Sequence, residues 1–193
     1  MGRKPEFSDE QVFGWLARHL ASEPSATVHQ VSKGTGVSVG SLYHRYGSLE
    51  TLFARAWLWA AQGYHERTVW ILGRKGPRPA LRIARQVLAM ARDDRDRSLI
   101  LFCIPKRMLV RNGADEAVRA EISKLEADWD SALAGFAERS GLDPDRLRLV
   151  LRDLPQTVVA RYFPDEEIPQ TANSLIEETW AELIGQGEED SEG

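Results

Sequence analysis

Across 193 residues there is one cysteine, Cys103, and a lone thiol excludes an internal disulfide and any multi-cysteine metal site. Histidines are few. His19, His29, His44 and His65 have no partner among themselves at helical i+3 or i+4 spacing, so no metal site is indicated. No apolar run approaches the roughly 18 residues that span a bilayer, and the N-terminus lacks the apolar core of a signal peptide. With a thiol that suits a reducing compartment, this predicts a soluble cytoplasmic protein with no membrane partner. A basic excess is missing too: the formal net charge is −4, which argues against holding nucleic acid by bulk charge. Catalytic signatures are equally scarce. The absence of HExxH, of a phosphate-binding loop and of any nucleophile, base and orienter at an interpretable spacing counts against an all-helical enzyme, and no cofactor is predicted.

What is present is helical patterning, with Pro and Gly as punctuation and no alternating strand, so the predicted fold class is all-α. The hydrophobic share of 42% is enough to bury a real core. Helices are expected from Ser8 to about Ala21, from Ser48 to about Leu72, and from Pro77–Pro79 up to the charged stretch RDDRDR. Another is expected from Ser98 to about Val110, interrupted at Pro105, which removes a backbone donor. Between Asp115 and Ser140, Val118, Ile122, Leu125, Trp129, Leu133 and Phe136 fall at steps of three and four, a core-facing stripe. Asp143 followed by Pro144 is a strong helix start, with a kink expected at Pro155 before the end near Phe163. A last helix opens near Pro169. Both final helices are apolar enough to need a partner face. Residues 161–193 carry 1 basic against 10 acidic side chains, and 187–193 read as an acidic disordered tail.

The stretch from Thr27 to Phe53, TVHQVSKGTGVSVGSLYHRYGSLETLF, carries the most information. Thr27 and Gln30 form a capping box, Val28 and Val31 face one way, and small Ser32 beside them would let another helix cross closely. Gly36 is suited to the left-handed turn that ends this helix, with Val37 as its buried anchor. Ser38 caps a second short helix whose Leu42 and Tyr46 point inward, leaving Val39, Gly40, Ser41, Tyr43 and His44 on the open side. A glycine inside a helix costs about 1 kcal/mol relative to alanine, so Gly40 suggests close approach to another surface, such as a DNA major groove. Ser48 then caps the long helix, which sends Leu49, Leu52 and Phe53 inward. Two short helices about a Gly-centred turn make a helix-turn-helix over about residues 27–46.

This stretch resembles the DNA-binding domain of the TetR family of bacterial transcriptional regulators: a Thr-capped helix, Gly-Val-Ser, a small-residue step, Leu-Tyr, then an aromatic and a Ser-capped helix. The resemblance covers about the first third of the chain. It implies an N-terminal three-helix helix-turn-helix domain, residues 1–53, and a larger helical ligand-binding and dimerisation domain, residues 54–186. It further implies that Thr27 and Tyr43 touch phosphates, that Ser38, Val39, Gly40 and Ser41 lie at the groove, with Val39 to Ser41 against base edges or nearby backbone, and that His44 sits at its edge. Ser48 and the amides after it would hold a further phosphate. Leu49 stands where the family often has lysine, so one phosphate contact is expected to be missing and the salt dependence of binding to be shallower. Positive charge near the DNA is limited to Arg3, Lys4, Lys33 and Arg45.

The same resemblance implies a homodimer paired through the last two helices on a palindromic double-stranded operator, with recognition helices about 34 Å apart or at a longer groove-matched distance. It implies a repressor released when a small-molecule effector enters the middle helices and swings the long helix as a lever. Trp57, Trp70, Phe102, Met108, Trp129 and Phe136 are the aromatic and apolar residues expected to line such a pocket, against the alternative that they are simply core. Trp57 and Trp59, two apart, are not expected to face one interior. Control by a partner protein, with the acidic tail as contact, is the other regulatory reading.

Overall fold

The computed structural model describes residues 7–75, 80–104, 109 and 114–189, and all regular structure among them is helical. The chain divides into two compact units, residues 1–61 with 95–123 and residues 62–94 with 124–193.

The first unit starts with α1 (Asp9–Leu20), capped where the Ser8 hydroxyl accepts the Gln11 amide at 3.2 Å. Helices α2 (Val28–Thr35) and α3 (Val39–Tyr46) follow, and α4 (Leu49–Leu72) opens in this unit and ends in the second. Val12, Leu16, Val31, Leu42 and Leu52 are all nearly or fully inaccessible, and around them the helices close on one core. Burying five such side chains favours the fold by about 1.5–3 kcal/mol each before conformational entropy is subtracted. Where α1 crosses α2, the close approach is at Gly34 rather than Ser32: a Cβ on Gly34 would overlap the Trp15 indole.

Helix α6 (Arg95–Cys103) also belongs to this unit and packs along α1. It starts three residues before the Ser98 expected from the sequence, within the charged stretch. Asp96 lies in its first turn, where a carboxylate suits the helix N-terminus, and accepts Arg18 Nη1 of α1 at 2.8 Å. Ser98 is fully buried and so serves as core, not cap. Residues 105–108, including Pro105, lie outside the described residues. Helix α7 (Glu116–Ser140) starts here, with the Asp115 amide donating to Thr51 Oγ1 at 2.8 Å, and continues into the second unit.

The second unit holds the end of α4, α5 (Leu81–Asp93), the end of α7, α8 (Pro144–Arg148), α9 (Leu154–Tyr162) and α10 (Thr171–Glu189). Its core is Ile71, Leu72, Ile83, Leu88, Leu133, Phe136, Leu147, Leu151, Val159 and Ile176. The expected capping by Asp143 is present, its Oδ1 accepting the Arg146 amide at 2.8 Å. The expected kink at Pro155 takes the form of a π-helical turn at Leu149–Asp153, in which the Leu154 amide donates to the Leu149 carbonyl. A widened turn gives the proline ring room from the carbonyl four residues back. Helix α10 reaches Glu189, and residues 190–193 lie outside the described residues.

Candidate nucleic-acid interface

The presentation of α3 is set by short-range chemistry on either side of it. The Thr27 hydroxyl accepts the Gln30 amide at 3.2 Å while Gln30 Oε1 accepts the Thr27 amide at 2.8 Å, the reciprocal capping box that starts α2. The helix ends at Gly36, with φ of 75°, a conformation that costs an L-residue about 1–2 kcal/mol. Val37 is buried beneath the turn. Ser38 Oγ accepts the Ser41 amide at 3.1 Å and restarts the helix.

Within α3, Leu42 and Tyr46 are buried, whereas Gly40, Ser41, Tyr43 and His44 are exposed and Val39 is half-buried. Tyr43 keeps 49% of its surface open, one of the few large exposed hydrophobic side chains among the described residues. Among the described residues a Cβ on Gly40 would meet only Ser38 Oγ, at 3.9 Å, and none of them requires glycine there. The inward anchor is tight: the Tyr46 hydroxyl donates to Asp9 Oδ1 at 2.6 Å, and burial, then that bond, holds the phenol well above its ordinary range.

Four of the predicted phosphate and groove residues, Thr27, Ser38, Ser41 and Ser48, have their hydroxyls engaged within the protein. Thr27 donates to Gln30 Oε1 at 2.8 Å, Ser41 shares a 2.8 Å hydrogen bond with Ser38, and Ser48 Oγ donates to Thr51 Oγ1 at 3.0 Å while accepting the Thr51 amide at 3.1 Å. Leu49, where a lysine was expected, is half-buried.

Arg45 departs from the sequence expectation of a cation available to DNA. Its Nε lies 2.8 Å from Asp9 Oδ1, its Nη2 donates to Asp9 Oδ2 at 3.0 Å, and its guanidinium sits 5.0 Å over the Phe7 ring. Its charge is spent on tying α3 to the start of α1, a contact between residues 36 apart that no local pattern announces. Lys33 is exposed, and Arg3 and Lys4 lie outside the described residues.

The residues expected to line an effector pocket are dispersed. Trp57 is core of the first unit and Phe102 is half-buried there; Trp129 and Phe136 are core of the second, with Arg152 lying 4.8 Å over the Trp129 ring; Met108 is outside the described residues. Trp59 is also packed, 5.7 Å from the Phe13 ring and under Arg97 at 4.8 Å, so both neighbouring tryptophans have protein partners. Of the described members of this set, Trp70 alone lines the groove of about 640 Å³ in the second unit, with His65, Glu66, Val69, Asp128, Ser131 and Ala132. The signal that could have found it is the run His65, Glu66, Val69, Trp70 at helical spacing. No group of three or more metal-ligating side chains occurs among the described residues, and no described helix is long and apolar enough to cross a membrane.

No protein-family model matches the chain, and no curated protein matches it by sequence. Among solved structures, it is similar to the TetR family transcriptional regulator PfmR from Thermus thermophilus, with a TM-score of 0.66 at 18% identity, covering 90% of this chain and 96% of that one. Coverage of that extent reaches well beyond the helix-turn-helix. The chain therefore has the fold of a TetR family transcriptional regulator, with an N-terminal helix-turn-helix and a C-terminal helical domain.

Proposed function

We propose that this protein is a sequence-specific DNA-binding transcriptional regulator, a homodimeric repressor released from a palindromic operator by a small molecule. The observation that carries this reading is the open face of α3. Val39, Gly40, Ser41, Tyr43 and His44 stand outward on a helix whose other side is locked by Leu42 and Tyr46. A rigid helix with small residues at its N-terminal end fits a major groove, and small residues there let the backbone approach base edges. Tyr43, Thr27 and Ser48 then supply neutral donors to phosphates, with Thr27 and Ser48 exchanging their internal hydroxyl bonds for phosphate oxygens.

One short helix reads only a few base pairs, so two copies are needed for useful specificity. Leu149, 56% exposed at the π turn, and Leu175, 48% exposed on α10, supply apolar surface on the last helical segments for pairing with a second subunit. The test is selection of binding duplexes from a random pool, followed by retardation assays. A palindromic consensus whose binding is lost in Tyr43→Ala supports the reading; binding indifferent to sequence and to that change overturns it. Sedimentation that shows a strict monomer at micromolar concentration removes the dimer.

A further inference from the structure

We propose that the groove between α4 and α7 in the second unit is a binding site for a flat organic cation carrying N–H donors, an aryl amidinium or aryl guanidinium; the role of such a ligand as effector rests on the regulator reading above. The groove is lined by His65, Glu66, Val69 and Trp70 from α4 and by Asp128, Ser131 and Ala132 from α7.

Three features define the ligand. The first is an unmet hydrogen bond beside the groove: His65 is one of its lining residues, is 8% exposed, and its buried Nε2 has no hydrogen-bond partner. A buried polar atom of this kind is costly unless something pairs with it. Burial holds the imidazole below its ordinary pKa of 6.5, so it is neutral at neutral pH, and with the proton on Nδ1 the Nε2 atom is an acceptor. The second is charge: Asp128 and Glu66 both line the groove, and together with Glu126 their carboxylates bear on His65 against a single ammonium, Lys124. The third is the face of an exposed indole, Trp70, at 56% of its surface.

Two of these recognition elements already hold cations of the chain itself. The Arg74 guanidinium stacks on Trp70 at 3.8 Å from the ring centroid, and the Lys124 ammonium pairs with Asp128 Oδ2. Both are exposed arrangements that contribute little and are readily displaced. An anion is disfavoured by the carboxylates. A metal ion does not fit, because no group of three or more ligating side chains occurs among the described residues. A quaternary ammonium would satisfy the charge and leave His65 Nε2 without a donor. An amidinium on a flat ring meets all three features at once: the ring on Trp70, one N–H toward a carboxylate, another toward Nε2.

Benzamidinium and its neutral isostere benzamide are the probes, titrated by calorimetry into the full chain without DNA. Saturable benzamidinium binding is expected, weakened about tenfold in Trp70→Ala and in Asp128→Asn, with benzamide at least about tenfold weaker than benzamidinium. Both substituted side chains are solvent-exposed, and retained helicity by circular dichroism shows that the variants fold. Absence of saturable binding at millimolar concentration, equal binding of benzamide, or indifference to both substitutions overturns the proposal. Operator retardation by the ligand-free protein is measured separately, so failure of the groove and failure of the regulator reading are distinguishable.

Discussion

Replacing Gly40 by alanine should make the protein more stable and a worse DNA binder. Gly40 is the second residue of α3, where alanine is favoured over glycine by about 0.5–1 kcal/mol, the lower end applying near a helix start. Among the described residues the added methyl meets nothing closer than Ser38 Oγ at 3.9 Å, so no packing penalty from them offsets that gain. With a urea m-value of about 1–3 kcal/mol/M, the unfolding midpoint of the helix-turn-helix unit should rise by a few tenths of a molar to about 1 M. Against DNA the same methyl enters a close contact. At about 1–2 kcal/mol of overpacking per half-site, affinity should fall about tenfold for each recognition helix. Urea titration followed by circular dichroism reads the first effect, and fluorescence anisotropy with a duplex selected by the unsubstituted protein reads the second. A loss of stability would show that Gly40 is needed inside the protein. Unchanged affinity would show that the N-terminal end of α3 does not approach DNA closely.

Other substitutions probe the scaffold behind that face. Gly34→Ala should destabilise the first unit by about 1–3 kcal/mol, because the Trp15 indole must move; a urea midpoint equal to that of the parent protein would contradict the crossing at Gly34. Arg45→Ala should lower stability through the lost Asp9 pair, yet leave the slope of log affinity against log salt concentration unchanged, since this guanidinium neutralises no phosphate. A slope reduced by about 1 would return Arg45 to the DNA. For His65, burial lowers the folded pKa below 6.5 while Asp128, Glu126 and Glu66 oppose the shift and Lys124 adds to it. The unfolded chain then takes up more protons than the folded one as pH falls below 6.5, so stability should decline with acidification from that point. Urea midpoints at about pH 7.5 and about pH 5.5 measure this, and the decline should shrink in His65→Gln.

Much of the recognition element was legible because its determinants are local. The Thr27–Gln30 capping box, the left-handed Gly36 and the Ser38 cap each involve residues three or fewer positions from the helix end they shape. The division of α3 into a buried and an open face follows from the 3.6-residue period alone. The stripe of α7 was readable for the same reason. Contacts between distant charges were not. Arg45 with Asp9 and Arg18 with Asp96 join side chains that look in sequence like any solvated pair. Likewise Gly34 has no mark of its own until the Trp15 indole is seen lying against it. The π turn was half visible: Pro155 announced a disturbance, but nothing in the local pattern announced that it would be a widened turn at Leu149–Asp153. The groove was the least visible feature, since an aromatic at helical spacing reads as core until its exposure is known.

Whether α3 touches base edges can be asked by changing what it would read. Ser41 is exposed near the start of α3, and a longer side chain there is free to extend outward, with its amide still capped by Ser38. An arginine in that place can contact guanine O6 and N7 in a major groove, which is worth about 1–3 kcal/mol of discrimination. Selection from a random duplex pool with the parent protein and with Ser41→Arg should give two consensus sequences that differ within each half-site, with a guanine gained in the variant. Identical consensus sequences, or none from either protein, would contradict base recognition by α3.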